Sequence, residues 1–236
     1  MKTLRKIVFY LFITAATLLI ALVVSVFLFK DKILNQFVRE ANKQLNTPVK
    51  IGKMDVSVFE SFPQLSIVLT NVYVEDSHPG IYPLLTAGHV SFQLNAWEVW
   101  SGVYTIKGLQ VRDSETNLKI NAKGVNNYNI TKEKSGDGAG ATLSLALKNV
   151  KLSNTRVHYL DLSSGEDLDF NSEDLLASIE ASGDLYNIQA KGELTSSLHI
   201  SDKTYLTGKS FRINSDLVYD DAARSVSIKP SALNLK

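Results

Sequence analysis

The run from Ile7 to Phe29, IVFYLFITAATLLIALVVSVFLF, contains no charged residue and restricts this chain more than any other stretch. As a helix rising about 1.5 Å per residue it is about 34 Å long, enough to cross a hydrocarbon core of about 30 Å with some tilt. Thr14, Thr17 and Ser25 are compatible with lipid, because their hydroxyls can bond back to a carbonyl one turn earlier. A cleaved secretory signal has an apolar core of roughly 7 to 15 residues and ends in small residues. This run instead leaves through Val26, Phe27, Leu28 and Phe29. The sequence therefore predicts a transmembrane helix over residues 7–29, an uncleaved anchor preceded by a short tail over residues 1–6.

Charge does not orient that anchor. Lys2, Arg5 and Lys6 precede it, and Lys30, Lys32, Arg39 and Lys43 follow within the window that the positive-inside rule counts. The absence of cysteine removes disulfides without naming a compartment. A formal charge of +1, with no basic stripe interleaved with aromatics, offers nucleic acid no attractive field.

Beyond the anchor, Ile33, Phe37, Ala41 and Leu45 share one helical face, with Leu34 and Val38 beside them, and Pro48 bars continuation. This predicts a short amphipathic helix within residues 30–47. Its polar face, with Asn35, Arg39, Asn42 and Lys43, lacks the dense basic character of an interfacial binder, so the helix is expected to plug the end of a sheet. From Val49 the period changes to that of strands. Leu65, Ile67 and Leu69 alternate with polar neighbours, and Val72 and Val74 continue with opposite parity after Asn71, the mark of a bulge or tight bend. Val90, Phe92 and Leu94 form the next alternating strand. The segment Ala96–Gly102 is a short helical or irregular corner, whose two tryptophans are expected to pack a core edge. Tyr186, Ile188, Ala190, Gly192 and Leu194 alternate most regularly of all.

No convincing long helix follows Leu45, which predicts a mainly β fold with a curled antiparallel sheet, either a β-groove or an open barrel-like form. The glycine-dense stretch Ser135–Ala141 divides it into a first β-region over 48–130, a flexible linker over 131–141 and a second β-region over 142–236. A strand-like end at 225–236 would leave an unpaired edge, so the chain is expected to be the first part of a longer β-rich polypeptide.

Catalytic and metal chemistry are not legible. His78, His89, His158 and His199 lie scattered without ligand spacing, and neither a phosphate loop nor a nucleophile elbow is present. Asp167, Asp169 and Asn171 begin like a calcium loop, but Ser172 stands where glycine is needed and Ser178 where a bidentate glutamate belongs. The triplet Asn129-Ile-Thr131 fits a glycosylation sequon, a pattern short enough to arise by chance. No enzyme activity and no cofactor are expected.

The order of features resembles the N-terminal region of the AsmA-like family of bacterial envelope proteins. The residues that carry the resemblance are the membrane helix, the amphipathic helix, Val49-Lys-Ile-Gly-Lys-Met-Asp-Val-Ser57, Phe62-Pro-Gln-Leu-Ser-Ile-Val-Leu-Thr-Asn-Val-Tyr-Val74 and Leu84-Leu-Thr-Ala-Gly-His-Val-Ser-Phe-Gln-Leu94. The corner Trp97–Gly102 and Gly124-Val-Asn-Asn-Tyr128 complete the order, with Tyr128 where that family more often has tryptophan. The resemblance covers about the first half of the chain. It implies a single-pass anchor in the bacterial inner membrane, a cytoplasmic N-terminus, a periplasmic body and a lipid-bearing β-groove. It further implies a part in phospholipid transport to the outer membrane or in outer-membrane assembly. On that basis the expected partners are phospholipid and other envelope proteins, and Leu65, Ile67, Leu69, Val90, Phe92, Leu94, Tyr186, Ile188 and Leu194 are the candidate lipid-facing residues. Alternation alone leaves a groove and a closed core both open for them. The alternative function is a membrane-tethered scaffold that binds envelope proteins without moving lipid.

Overall fold

The computed structural model describes residues 2–62, 64–80, 82–130, 144–182, 185–201 and 203–220, together with 223, 225–228 and 232–235. One helix, α1 (Lys2–Gln44), runs unbroken through the whole apolar segment and the amphipathic one. The two expected helices are thus one. The charged triplet Lys30-Asp31-Lys32 changes the polarity of the surface, but lysine is a good helix former and nothing there breaks the backbone. The arrest comes at Thr47-Pro48, where the ring of proline cannot continue a helix. Among the described residues no helix is long and apolar enough to cross a membrane. Six positions within Ile7–Phe29 (15, 16, 18, 19, 22 and 27) carry side chains outside the described set, and all six are apolar in the sequence.

The rest of the chain is mainly β. Strands β1 (Val49–Ser57), β2 (Leu65–Glu75), β3 (Pro83–Leu94) and β4 (Thr105–Ile120) form an antiparallel meander, with α2 (Ala96–Trp100) at the β3–β4 corner. Strands β5 (Ser144–Asp161), β6 (Glu166–Ser182), β7 (Leu185–Ile200) and β8 (Lys203–Asp220) form a second meander. The short strands β9 (Ser225–Ile228) and β10 (Ala232–Leu235) both pair with β8. Together they make one open sheet of ten strands, whose outermost strands do not pair with each other among the described residues.

The expected antiparallel order fails at one junction, because β4 and β5 run parallel. A parallel pair needs a crossover of about a dozen residues or more, which the chain supplies between Ile120 and Ser144. Such a crossover need not be a helix, so the lack of a helical pattern there did not exclude it. The expected linker over 131–141 lies outside the described residues.

One line of residues creases the sheet across six strands. Asn71, Asp113 and Asn154 have left-handed backbones, with φ of 54°, 53° and 50°. The registers place Gly52, Asn71, Gly88, Asp113, Asn154 and Glu173 side by side on successive strands. The glycines make room: a Cβ on Gly52 would stand 3.0 Å from the Cβ of Asn71, and one on Gly88 3.2 Å from that of Asp113. The Asn154 amide donates to Asp113 Oδ1 at 2.7 Å, tying two crease residues together. Alternation inverts at this line in each strand, so Leu65, Ile67 and Leu69 below it and Val72 and Val74 above it all point into the core. Asparagine tolerates this conformation far better than a β-branched residue. Accordingly Asn71→Val is expected to cost about 1–2 kcal/mol in urea unfolding. Asn71→Gly should stay within about 0.5 kcal/mol of the parent, which equal losses from the two changes would contradict.

Candidate functional site

The second half of α1 lies against the inner face of the first meander. Phe37 is only 4% exposed, and its ring centroid is 5.3 Å from that of Phe92 on β3. Val23, Val26, Ile33 and Leu34 pack against the same core. The helix is pinned at both ends of this contact. Lys30 Nζ lies 2.7 Å from Asp55 Oδ1 on β1, and this hydrogen-bonded ammonium holds the Asp55 carboxyl below its ordinary range. At the far end the backbone N–H of Asn46 donates to the carbonyl of Ile130 at 2.7 Å.

This helix divides the nine candidate lipid-facing residues into two groups. Leu65, Ile67 and Leu69 on β2 stand opposite Leu94, Phe92 and Val90 on β3. Five of the six are 0–5% exposed, and Phe92 is half-buried beneath Phe37. They belong to the buried core beneath α1, which the sequence presents only as an amphipathic helix, and Leu65 also borders the cavity between that helix and the β3–β4 corner. Tyr186, Ile188 and Leu194 are different. They sit on the inner face of β7, half-buried, alternating with exposed Asn187, Gln189, Lys191 and Glu193. Ile188 stands between Ile179 of β6 and Leu217 of β8, and Leu194 opposite Phe211 of β8. Among the described residues, the extensive contacts of β6, β7 and β8 are with their neighbours in the sheet. Their apolar face, with Leu175, Ile179, Ile188, Ile213 and Leu217, therefore has no cover comparable to α1.

A cavity of about 690 Å³ opens between α1 and the β3–β4 corner. Val26, Phe29 and Ile33 line it from the helix, Leu65 from β2, and Val99, Trp100 and Val103 from the corner. Asn95 caps the short α2, its Oδ1 accepting from the backbone N–H of Trp97 at 2.9 Å. The tryptophans correct the expectation of a buried core edge. Trp97 is 78% and Trp100 67% exposed, while Val99 between them takes the core position.

The opposite face of the sheet is polar. Arg156 Nε donates to both carboxylate oxygens of Asp169 at 3.0–3.1 Å, and Glu115 lies 3.5 Å from its Nη1. This pairing raises the guanidinium pKa and lowers that of Asp169. Asp167, Asp169 and Asn171 are on strand β6, facing His158 and Arg156 across the ladder. His158 Nε2 meets Asp167 at 2.8 Å, His199 meets Thr204, His89 meets Glu60 and His78 meets the Val125 carbonyl. Among the described residues no group of three or more His, Cys, Asp or Glu is placed to hold a metal ion. Exposed pairs of this kind contribute little stability, and Arg156, His158, Asp167, Asp169 and His199 line an open polar cavity of about 450 Å³.

Sequence reasoning missed Asn127, which is fully buried. Its Nδ2 donates to Asp76 Oδ2 at 3.2 Å and to the Asn117 carbonyl at 3.0 Å, and its Oδ1 accepts from the Lys119 backbone at 2.7 Å. The only signal for it was the asparagine-rich Gly124–Asn129 segment, which reads equally as an exposed turn. With these contacts established, comparison with protein families finds no family model that matches the chain, and none of the curated proteins compared with it matches either.

Proposed function

We propose that this chain is a membrane-anchored, lipid-handling envelope protein of AsmA-like type, with residues 7–29 as its single span. Its N-terminus lies in the cytoplasm of a bacterium and its sheet in the periplasm. The observation that carries this reading is the contrast along one inner face, buried beneath α1 over β2 and β3 but, among the described residues, only half-buried and without a covering element over β6–β8. An apolar strip with polar residues on the reverse face can hold acyl chains while head groups remain in water. Each buried methylene is worth about 0.8 kcal/mol, so a strip of this kind binds a chain without any catalytic group. The exposed apolar residues of α1, among them Phe12, Ile20 and Leu28, need a nonpolar environment of their own, and a bilayer supplies it. The order of motifs from Val49 to Tyr128 supports the AsmA-like assignment and, through it, a role in phospholipid traffic or outer-membrane assembly.

A photocrosslinking residue introduced at Ile188 in cells is expected to capture phospholipid, and the same residue at Ile67 is expected to capture none. Protein adducts at Ile188 without lipid would instead favour the tethered scaffold. Adducts of lipid at both positions would mean that α1 does not seal the first meander.

A further inference from the structure

The two tryptophans of this chain both stand on one exposed corner, and that corner touches the end of the apolar helix. Trp100 meets Phe29 edge to face, with ring centroids 5.4 Å apart and planes at 81°. Phe29 is the last residue of the uncharged run, and the next residue, Lys30, is drawn to Asp55. Exposed apolar surface therefore continues from Ile20, Val24 and Leu28 on α1, through Phe29, onto Trp100 and Trp97. The corner carries a single charge, Glu98, and Lys107 Nζ pairs with it at 2.6 Å. Indole combines an apolar body with an N–H donor, and in membrane proteins it settles at the level of the lipid head groups. Two such rings held in water, beside the point where an anchor changes from apolar to charged, form a patch that calls for a partner.

We propose that the β3–β4 corner is a membrane contact, in which Trp97 and Trp100 sit in the head-group region of the phospholipid bilayer beside the exit of α1. The sheet then stands on the bilayer by its β3–β4 end, and the cavity between α1 and the corner opens at the lipid surface. This rests on the reading of residues 7–29 as the membrane anchor.

Because the chain has no other tryptophan, its intrinsic fluorescence reports on this corner alone. The full chain would be reconstituted into phosphatidylcholine vesicles carrying bromine at shallow or deep acyl positions. Trp97→Phe and Trp100→Phe separate the two reporters. Shallow bromines are expected to reduce the emission of each to about half, with deep bromines much less effective, as befits rings at the interface. Emission that no brominated lipid quenches, from chain that floats with vesicles after an alkaline carbonate wash, would overturn the corner contact and leave the anchor standing. Such emission shifted to the blue would place the rings against protein, a second copy of the chain included. Strongest quenching from bromines at the bilayer centre would overturn an interfacial position. Chain that the wash strips from the vesicles would overturn the anchor and the corner contact together.

Discussion

Asn127→Leu is expected to destabilise the fold by about 3 kcal/mol in urea unfolding, although leucine is similar in size and apolar. The loss comes from the groups that asparagine leaves behind. Asp76 is 5% exposed, and the Asn127 amide is its partner at Oδ2 while Oδ1 has none among the described residues. The Lys119 N–H and Asn117 carbonyl would lose partners as well. A buried polar group left unpaired costs about 1–3 kcal/mol, more if charged, so three such groups exceed any gain from a larger apolar side chain. Asn127→Asp should also destabilise, but with a distinct pH dependence. It would put a second carboxylate about 3 Å from Asp76, and like charges at that separation raise the pKa of the pair. The deficit should therefore be largest near neutral pH and shrink as the pH falls and the pair takes up a proton. A loss independent of pH would assign the effect to packing instead. The consequence reaches the helix, because Asn127 holds the segment that ends at Ile130, whose carbonyl receives the Asn46 N–H at the base of α1.

Much of this fold is legible in the sequence, and what is not has identifiable causes. The phase change at Asn71 is visible because apolar residues lie on both sides of it. The alignment of Asn71 with Gly88, Asp113 and Asn154 is not, since it exists only once four strands are in register. Strand direction leaves no trace in alternation, which is why the parallel β4–β5 pair could not be read from either strand alone. The same limit applies to the candidate site. Ile67 and Ile188 both lie in apolar, alternating strands, yet one is wholly covered and the other half-buried. The difference is made by α1, distant in sequence from both, whose Phe37 packs on Phe92 opposite Ile67. Trp97 and Trp100 read as core residues because they are large and apolar, but the short α2 turns only Val99 inward.

Phe37→Ala is the substitution that tests whether α1 is the cover that sets these two regions apart. Removing a buried phenylalanine typically costs about 3–5 kcal/mol, the sum of lost transfer energy and an unfilled cavity. Here the void would open beneath the helix and against Phe92, where the ring contact now holds α1 to β3. The helix keeps its Lys30–Asp55 pair and its Asn46–Ile130 bond, so it is expected to loosen over the sheet rather than detach. The absence of native cysteine allows a direct readout, since any introduced thiol is the sole one in the chain. Ile67→Cys should resist maleimide in the parent and react when combined with Phe37→Ala, whereas Ile188→Cys should react in both backgrounds. Continued protection of the thiol at position 67, together with unchanged unfolding, would show that something other than α1 seals the first meander. If instead the thiol at position 188 is protected in the parent, the strip over β6–β8 has a cover of its own and the lipid-handling proposal loses the surface on which it depends.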